Sequence, residues 1–203
     1  MDATQKTAPK STATWRIAKT LRAVTVPPLM ALCAFSSFLA LSDFYTNVWE
    51  YVAAVGFIAL LPVTAYPLQL IIPHYKHQGR EGQRNLAFVM CTLGYILGVI
   101  YAIIFSVGRP IFTMLLTYLL SGVSLLLVNK LFHFKASGHA CGLMGPAAAL
   151  AYFVGPVTLA LSIPLCIGAL WSSVYMKRHS LSQFIVGGVI PVFWLIVCAA
   201  ILL

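Results

Sequence analysis

Apolar runs of membrane-spanning length follow one another along almost the whole chain, and they leave little else to fold. Seven can be marked, at about 27–42, 51–73, 86–106, 110–128, 140–155, 157–175 and 182–203. A bilayer's hydrocarbon core is crossed by roughly 20 helical residues. Inside it the backbone must bond to itself, so only helices and closed barrels can span. These runs are continuous rather than alternating, which predicts helices. Of the 203 residues, 61% are hydrophobic and 8% charged. That leaves room for a bundle of six to seven transmembrane helices and none for a separate soluble domain. The expected fold class is all-α integral membrane, with residues 1–26 a basic N-terminal segment and 27–203 a single transmembrane domain. No short apolar core with a small-residue cleavage site opens the chain, so a cleaved leader is not expected.

Charge then orients the runs. The net charge is +9, with 13 Lys and Arg against 4 Asp and Glu. In an oily chain this points to membrane lipids and to an orientation signal rather than to nucleic acid. With seven spans, the N-terminus and the loops at 74–85, 129–139 and 176–181 share one side. That side carries Lys6, Lys10, Arg16, Lys19, Arg22, Lys76, Arg80, Arg84, Lys130, Lys135, Lys177 and Arg178, leaving only Arg109 for the other. The positive-inside rule makes it cytoplasmic, and a plasma membrane fits. All five histidines, His74, His77, His133, His139 and His179, fall there too. Charge bias does not explain them, because a histidine is mostly neutral at pH 7.

Smaller features receive plainer readings. Trp15, Ala18 and Leu21 recur every three residues with Arg16, Lys19 and Arg22 offset by one. That suits either a short helix lying on an anionic membrane surface or an ordinary basic flank of the first span. Asp43 and Glu50 flank a turn on the opposite side and are expected to sit in water. The five cysteines lie in apolar stretches without paired spacing and read as small buried hydrophobes. His74-x-x-His77 lacks a carboxylate or cysteine partner loop, so no metal is expected.

The polar pentapeptide Lys135-Ala136-Ser137-Gly138-His139 interrupts two apolar runs, and Lys177-Arg178-His179 follows forty residues after His139. Phosphate recognition needs cations and hydroxyl or amide donors. Metal-free cleavage of a phosphate ester needs a nucleophile and a proton donor for the leaving oxygen. Two histidines from separate loops can supply both.

Ser137-Gly138-His139 resembles the central motif of the type 2 phosphatidic acid phosphatase (PAP2) superfamily, and the stretch from Ser172 to Gln183 followed by Gly187-Gly188 resembles its third motif. The resemblance covers about residues 74–190. It implies a core of about six helices and metal-independent hydrolysis of a lipid phosphate or diphosphate, glycerolipid or isoprenyl, without a cofactor. By position it makes His179 the nucleophile, His139 the acid for the leaving group, and Ser137 and the Gly138 amide phosphate binders. Lys76, Arg80, Arg84, Lys135, Lys177 and Arg178 are the further phosphate-binding candidates on the same side. This chain departs from the pattern at three points: Ala136 replaces a proline, Ser173 an arginine, and Gln183 the acidic partner of the nucleophilic histidine. In a serine protease triad the corresponding acid-to-amide change costs about 10⁴-fold. The first motif of the family, a lysine, six residues and then Arg-Pro, has no clean match: Lys76 to Arg84 is one residue too long, and the Arg80-Glu81-x-x-Arg84 cluster resembles a variant form. Arg109-Pro110 imitates its end from the opposite side. The alternative function is a lipid-phosphate binding or transport protein of the same fold that does not hydrolyse its ligand.

Overall fold

Proline and glycine decide where the helices break and how closely they pack. The computed structural model describes residues 13–203 apart from the Arg80 side chain, so Lys6 and Lys10 lie outside the described residues. Helix α1 covers Ala13–Val24 and α2 covers Pro27–Leu41. Pro27 and Pro28 open α2, where a missing amide hydrogen costs nothing. Pro27 also holds Val26 extended, at φ −63° and ψ 140°. The chain therefore turns sharply at Thr25–Val26, and the two helices form a pair bent by 53°.

The next crossing, Val48–Ile71, is assembled from α3 (Val48–Ala54), a π-helical stretch (Val55–Leu60), α4 (Leu61–Val63) and α5 (Ala65–Ile71). Pro62 lacks the N–H that would close the preceding turn and its ring crowds that turn, which accounts for the widened winding before it. After α6 (Pro73–Lys76) come α7 (Gly79–Ile104) and α8 (Arg109–Leu131). Gly94 and Gly98, one turn apart on α7, let it press onto the widened helix. A Cβ at Gly94 would collide with the Phe57 carbonyl oxygen. Small residues at this spacing are how helices approach one another in lipid.

Helix α9 (Gly138–Phe153), a 3₁₀ turn (Pro156–Thr158), α10 (Leu159–Tyr175) and α11 (Leu181–Leu202) complete the chain, and no strand occurs among the described residues. Five segments are long and apolar enough to cross a membrane, six if the bent α1–α2 pair is one span. This fits an all-α membrane bundle. The run at 140–155 becomes α9, 16 residues long, or about 24 Å at 1.5 Å per residue. It packs against α2, α10 and α11 in the middle of the bundle. A helix walled by protein need not match the bilayer's thickness.

Contacts define two ends. At one, Phe44 stacks on Phe38 with ring centroids 4.4 Å apart and meets Phe153 edge-on at 4.8 Å. Glu50 lies there, and the expectation that it sits in water fails: it is 1% exposed. Its carboxylate accepts from the Thr46 amide at 2.9 Å, the Thr46 hydroxyl at 2.6 Å and the Gly108 amide at 2.8 Å. The carboxylate thus staples the loop before α3 to the α7–α8 turn. Replacing Glu50 by alanine strands these donors, each at about 1–3 kcal/mol. Glu50→Ala should lower the thermal midpoint in detergent by several degrees.

Candidate functional site

The opposite end is built from three stretches of chain: the end of α1, the loop before α9 and the loop between α10 and α11. Ser137 is fully buried and caps α9, its hydroxyl accepting from the Ala140 amide at 3.2 Å. Its own amide donates to the Gln183 carbonyl at 2.9 Å. Gly187 lies against the Ser137 backbone more closely than any Cβ would permit. Gln183 closes a capping box with Ser180, each side chain accepting from the other residue's amide, and its Nε2 donates to the Phe134 carbonyl at 3.3 Å. The Ser137-Gly138-His139 turn is thereby clamped to the start of α11. The approach is strained, with His133 at φ 51° and Lys135 at φ 56°. Non-glycine residues hold this conformation at a cost of about 1–2 kcal/mol each, so the surroundings must impose it.

The second loop begins where α10 ends in a Schellman motif. The Lys177 amide donates to Val174 and the Arg178 amide to Ser173, both at 2.9 Å, with Lys177 at φ 52°. This turn brings Arg178 and His179 back toward the head of α9.

The third contribution comes from α1. The helix does not lie apart on the surface: Ala18 is wholly buried and Leu21 packs on Gly168 of α10. Arg22 Nη1 donates to the hydroxyl of buried Ser173 at 2.7 Å. Thr25 Oγ1 lies 2.9 Å from His139 Nε2. Gly142 makes this possible, because Pro27 sits where a side chain on α9 would otherwise be.

The electrostatics are one-sided. Burial, then Arg22, then His179 push the His139 imidazole down to about 4. His179 is also lowered, first by burial and further by Arg22 and Arg84, while the Gln183 side chain and the Lys135 carbonyl favour its charged form. Among the described residues its buried Nδ1 has no hydrogen-bond partner. Burial first, and Arg178 after it, disfavour the charge of Arg22. Among the described residues, the acid on this side is Glu81, in an exposed pair with Arg84 at 3.8 Å. The cluster is cationic around two neutral imidazoles, and the Gly138 amide at the start of α9, unbonded among the described residues, points the same way in sign.

The structure thus brings together His139, His179, Ser137, Gly138 and Gln183, while Arg178 and Arg84 are exposed and act at longer range, on the charge of Arg22 and of His179 respectively. Lys135 contributes its carbonyl while its side chain is exposed, and Lys76 and Lys177 are exposed. The Arg80 side chain lies outside the described residues. Arg22 and Thr25 are the members that sequence reasoning did not single out. The signal was present, since Ala18, Leu21, Arg22 and Thr25 fall at i, i+3, i+4 and i+7 on one helical face. No family profile, curated protein or solved structure matches the chain.

Two outcomes follow from this geometry. Gly187→Ala forces a methyl into the Ser137 backbone and should destabilise the protein by about 1–3 kcal/mol, whereas Gly56→Ala, with open space around it, should be nearly neutral. A thermal-shift comparison of the two variants checks this. Stability should also depend on pH through His139. Unfolded, the ring takes a proton near its ordinary value of 6.5, whereas folded it stays neutral down to about 4. Stability present above pH 6.5 is therefore lost as pH falls toward 4. His139→Gln should flatten that slope, and an unchanged slope would show that the ring titrates normally.

Proposed function

We propose that this chain is an integral membrane phosphatase that hydrolyses a lipid phosphate or diphosphate, glycerolipid or isoprenyl, without a metal. The carrying observation is the Arg22–Ser173 contact beside His139 and His179. The resemblance to the PAP2 superfamily expects an arginine at position 173, and here a guanidinium from α1 reaches the serine that stands there. A cation, two neutral imidazoles and a helix N-terminus then face one site with a net demand for an anion.

In this reading Arg22, Arg178, the Ser137 hydroxyl hydrogen and the Gly138 amide hold the phosphate oxygens. Neutral His179 has the lone pair a nucleophile needs. With Nδ1 buried, Nε2 is the nitrogen that attacks phosphorus. The P–O bond to the lipid breaks, its electron pair stays on the leaving oxygen, and His139 supplies the proton. Water then cleaves the P–N bond, giving its proton to His139 and releasing inorganic phosphate. The seven helical passages from α1–α2 to α11 are read as seven crossings. The concentration of cations at the site end, against Arg109 at the other, orients the site and the N-terminus toward the cytoplasm of a plasma membrane.

One observation favours the second reading, a lipid-phosphate binding or transport protein. Both polar ends of Gln183 are engaged, one with the Ser180 amide and one with the Phe134 carbonyl, and no carboxylate stands in to stabilise a charged His179.

Purified protein in detergent, given phosphatidic acid, phosphatidylglycerophosphate and polyprenyl mono- and diphosphates with a chelator present, should release phosphate. His179→Ala should abolish release, and Arg22→Ala should reduce it by about 10²–10³-fold, as loss of one preorganised donor does. Release unaffected by His179→Ala would refute the phosphohistidine route. Tight binding without release from any substrate would establish the second reading.

A further inference from the structure

We infer that Thr25 is a positioning residue that selects the tautomer of His139, holding the proton on Nε2 and presenting Nδ1 as the nitrogen that exchanges protons. Thr25 is 0% exposed, so no solvent competes for its hydroxyl. Its Oγ1 lies 2.6 Å from the Leu21 carbonyl, an acceptor only, and 2.9 Å from His139 Nε2. A hydroxyl has one hydrogen, and the carbonyl contact requires it. The contact with His139 can then be a hydrogen bond only if the imidazole donates, so Nε2 carries a hydrogen. This assignment follows from the hydrogen-bond network, as tautomers must.

The remaining surroundings keep the ring neutral rather than doubly protonated, since Arg22 on α1 and His179 in the α10–α11 loop both oppose a positive charge. His139 Nδ1 makes no hydrogen bond to the described residues, which leaves its lone pair for the site. The sequence builds this arrangement locally. Thr25 is the last residue before the break imposed by Pro27, and its amide still bonds to Leu21 at 3.1 Å. Its hydroxyl doubles onto the same carbonyl, a habit of threonine at helix ends.

The consequence for catalysis rests on the phosphatase reading. When an anion offsets the local positive charge, Nδ1 takes up a proton and delivers it to the leaving oxygen, and the ring returns to the Nε2–H form. The tautomer itself does not depend on that reading, and the test separates the two. Full-length protein in lipid nanodiscs with ¹⁵N-labelled histidine, assigned by loss of signal in His139→Gln, reports each ring nitrogen by its chemical shift at pH 7. His139 should show a protonated Nε2 and an unprotonated Nδ1. Thr25→Ser should keep this pattern, and Thr25→Val should shift the ring toward the Nδ1–H form or a mixture. A predominantly Nδ1–H ring in the wild-type protein overturns the inference, and so does a Thr25→Val spectrum identical to wild type. The wild-type spectrum decides the matter even if Thr25→Val does not fold. If the protein turns over a lipid phosphate, Thr25→Val should lower kcat at least tenfold with KM within about twofold, and Thr25→Ser should restore it. Spectra as expected without any turnover would leave Thr25 its role and remove the phosphatase reading alone.

Discussion

The site hangs on one backbone hydrogen bond, from the Ser137 amide to the Gln183 carbonyl, with Gly187 pressed beneath it. Helices in lipid gain nothing from hiding apolar surface from one another, so close packing and internal hydrogen bonds must hold them together. This chain uses glycine for the purpose at each place that matters. Gly187 brings α11 to the head of α9, Gly142 brings the α1–α2 break onto α9, and Gly168 seats Leu21 and with it α1 on α10. His139, His179, Thr25 and Arg22 meet because the first two of these approaches are tight, while Leu21 rests on Gly168 at ordinary contact distance. Gln183, the position where the family resemblance expects a carboxylate, joins the clasp itself through its carbonyl and its capping box.

The two ends of the bundle treat charge in opposite ways. At the far end a single carboxylate, Glu50, is buried and satisfied by three donors. Its donors are thus paired, and no polar group of that staple is left unsatisfied. At the site end the cations outnumber the acid, and both imidazoles are held neutral by burial and by Arg22. An anionic ligand reverses each of these influences at once, because it neutralises the guanidinium and favours imidazolium. Binding of an anion should therefore draw protons into the site, coupling the protonation of His139 to the presence of the ligand.

Much of the fold can be read from the chain because lipid allows few alternatives. Continuous apolar runs must be helices, and Pro27-Pro28 marks where α2 starts. The pairing of His139 with His179 was legible from spacing, and their nearness was not, because it depends on glycine contacts that periodicity does not encode. Glu50 misleads for a similar reason: a carboxylate beside a turn looks solvated until Thr46 and Gly108 close over it. Arg22 is more instructive. Read with Arg16 and Lys19 it belongs to a basic stripe facing lipid headgroups. Read with Ala18, Leu21 and Thr25 it belongs to the face that docks on α10, and the docked face prevails, with Ala18 wholly buried and Arg22 bonded to Ser173.

Placing Arg22 and Thr25 on the same short helix has a mechanical consequence. The guanidinium holds Ser173 with one nitrogen, and its other donors remain for an anion, since arginine presents five hydrogens in a rigid fork. An anion bound there pulls on α1 through Arg22. Thr25 lies three residues on, at the hinge that Pro27 creates, and its hydroxyl is tied to Leu21 inside the same helix. The Arg22 guanidinium and the Thr25 hydroxyl cannot move independently, so docking of α1 places both or neither. Strain elsewhere at this end fits such an arrangement: His133, Lys135 and Lys177 all hold left-handed backbone without being glycine. Conformations of that kind persist only where the surroundings over-determine them, and here the over-determining contacts are the clasp at Ser137 and the end of α10 against which α1 rests.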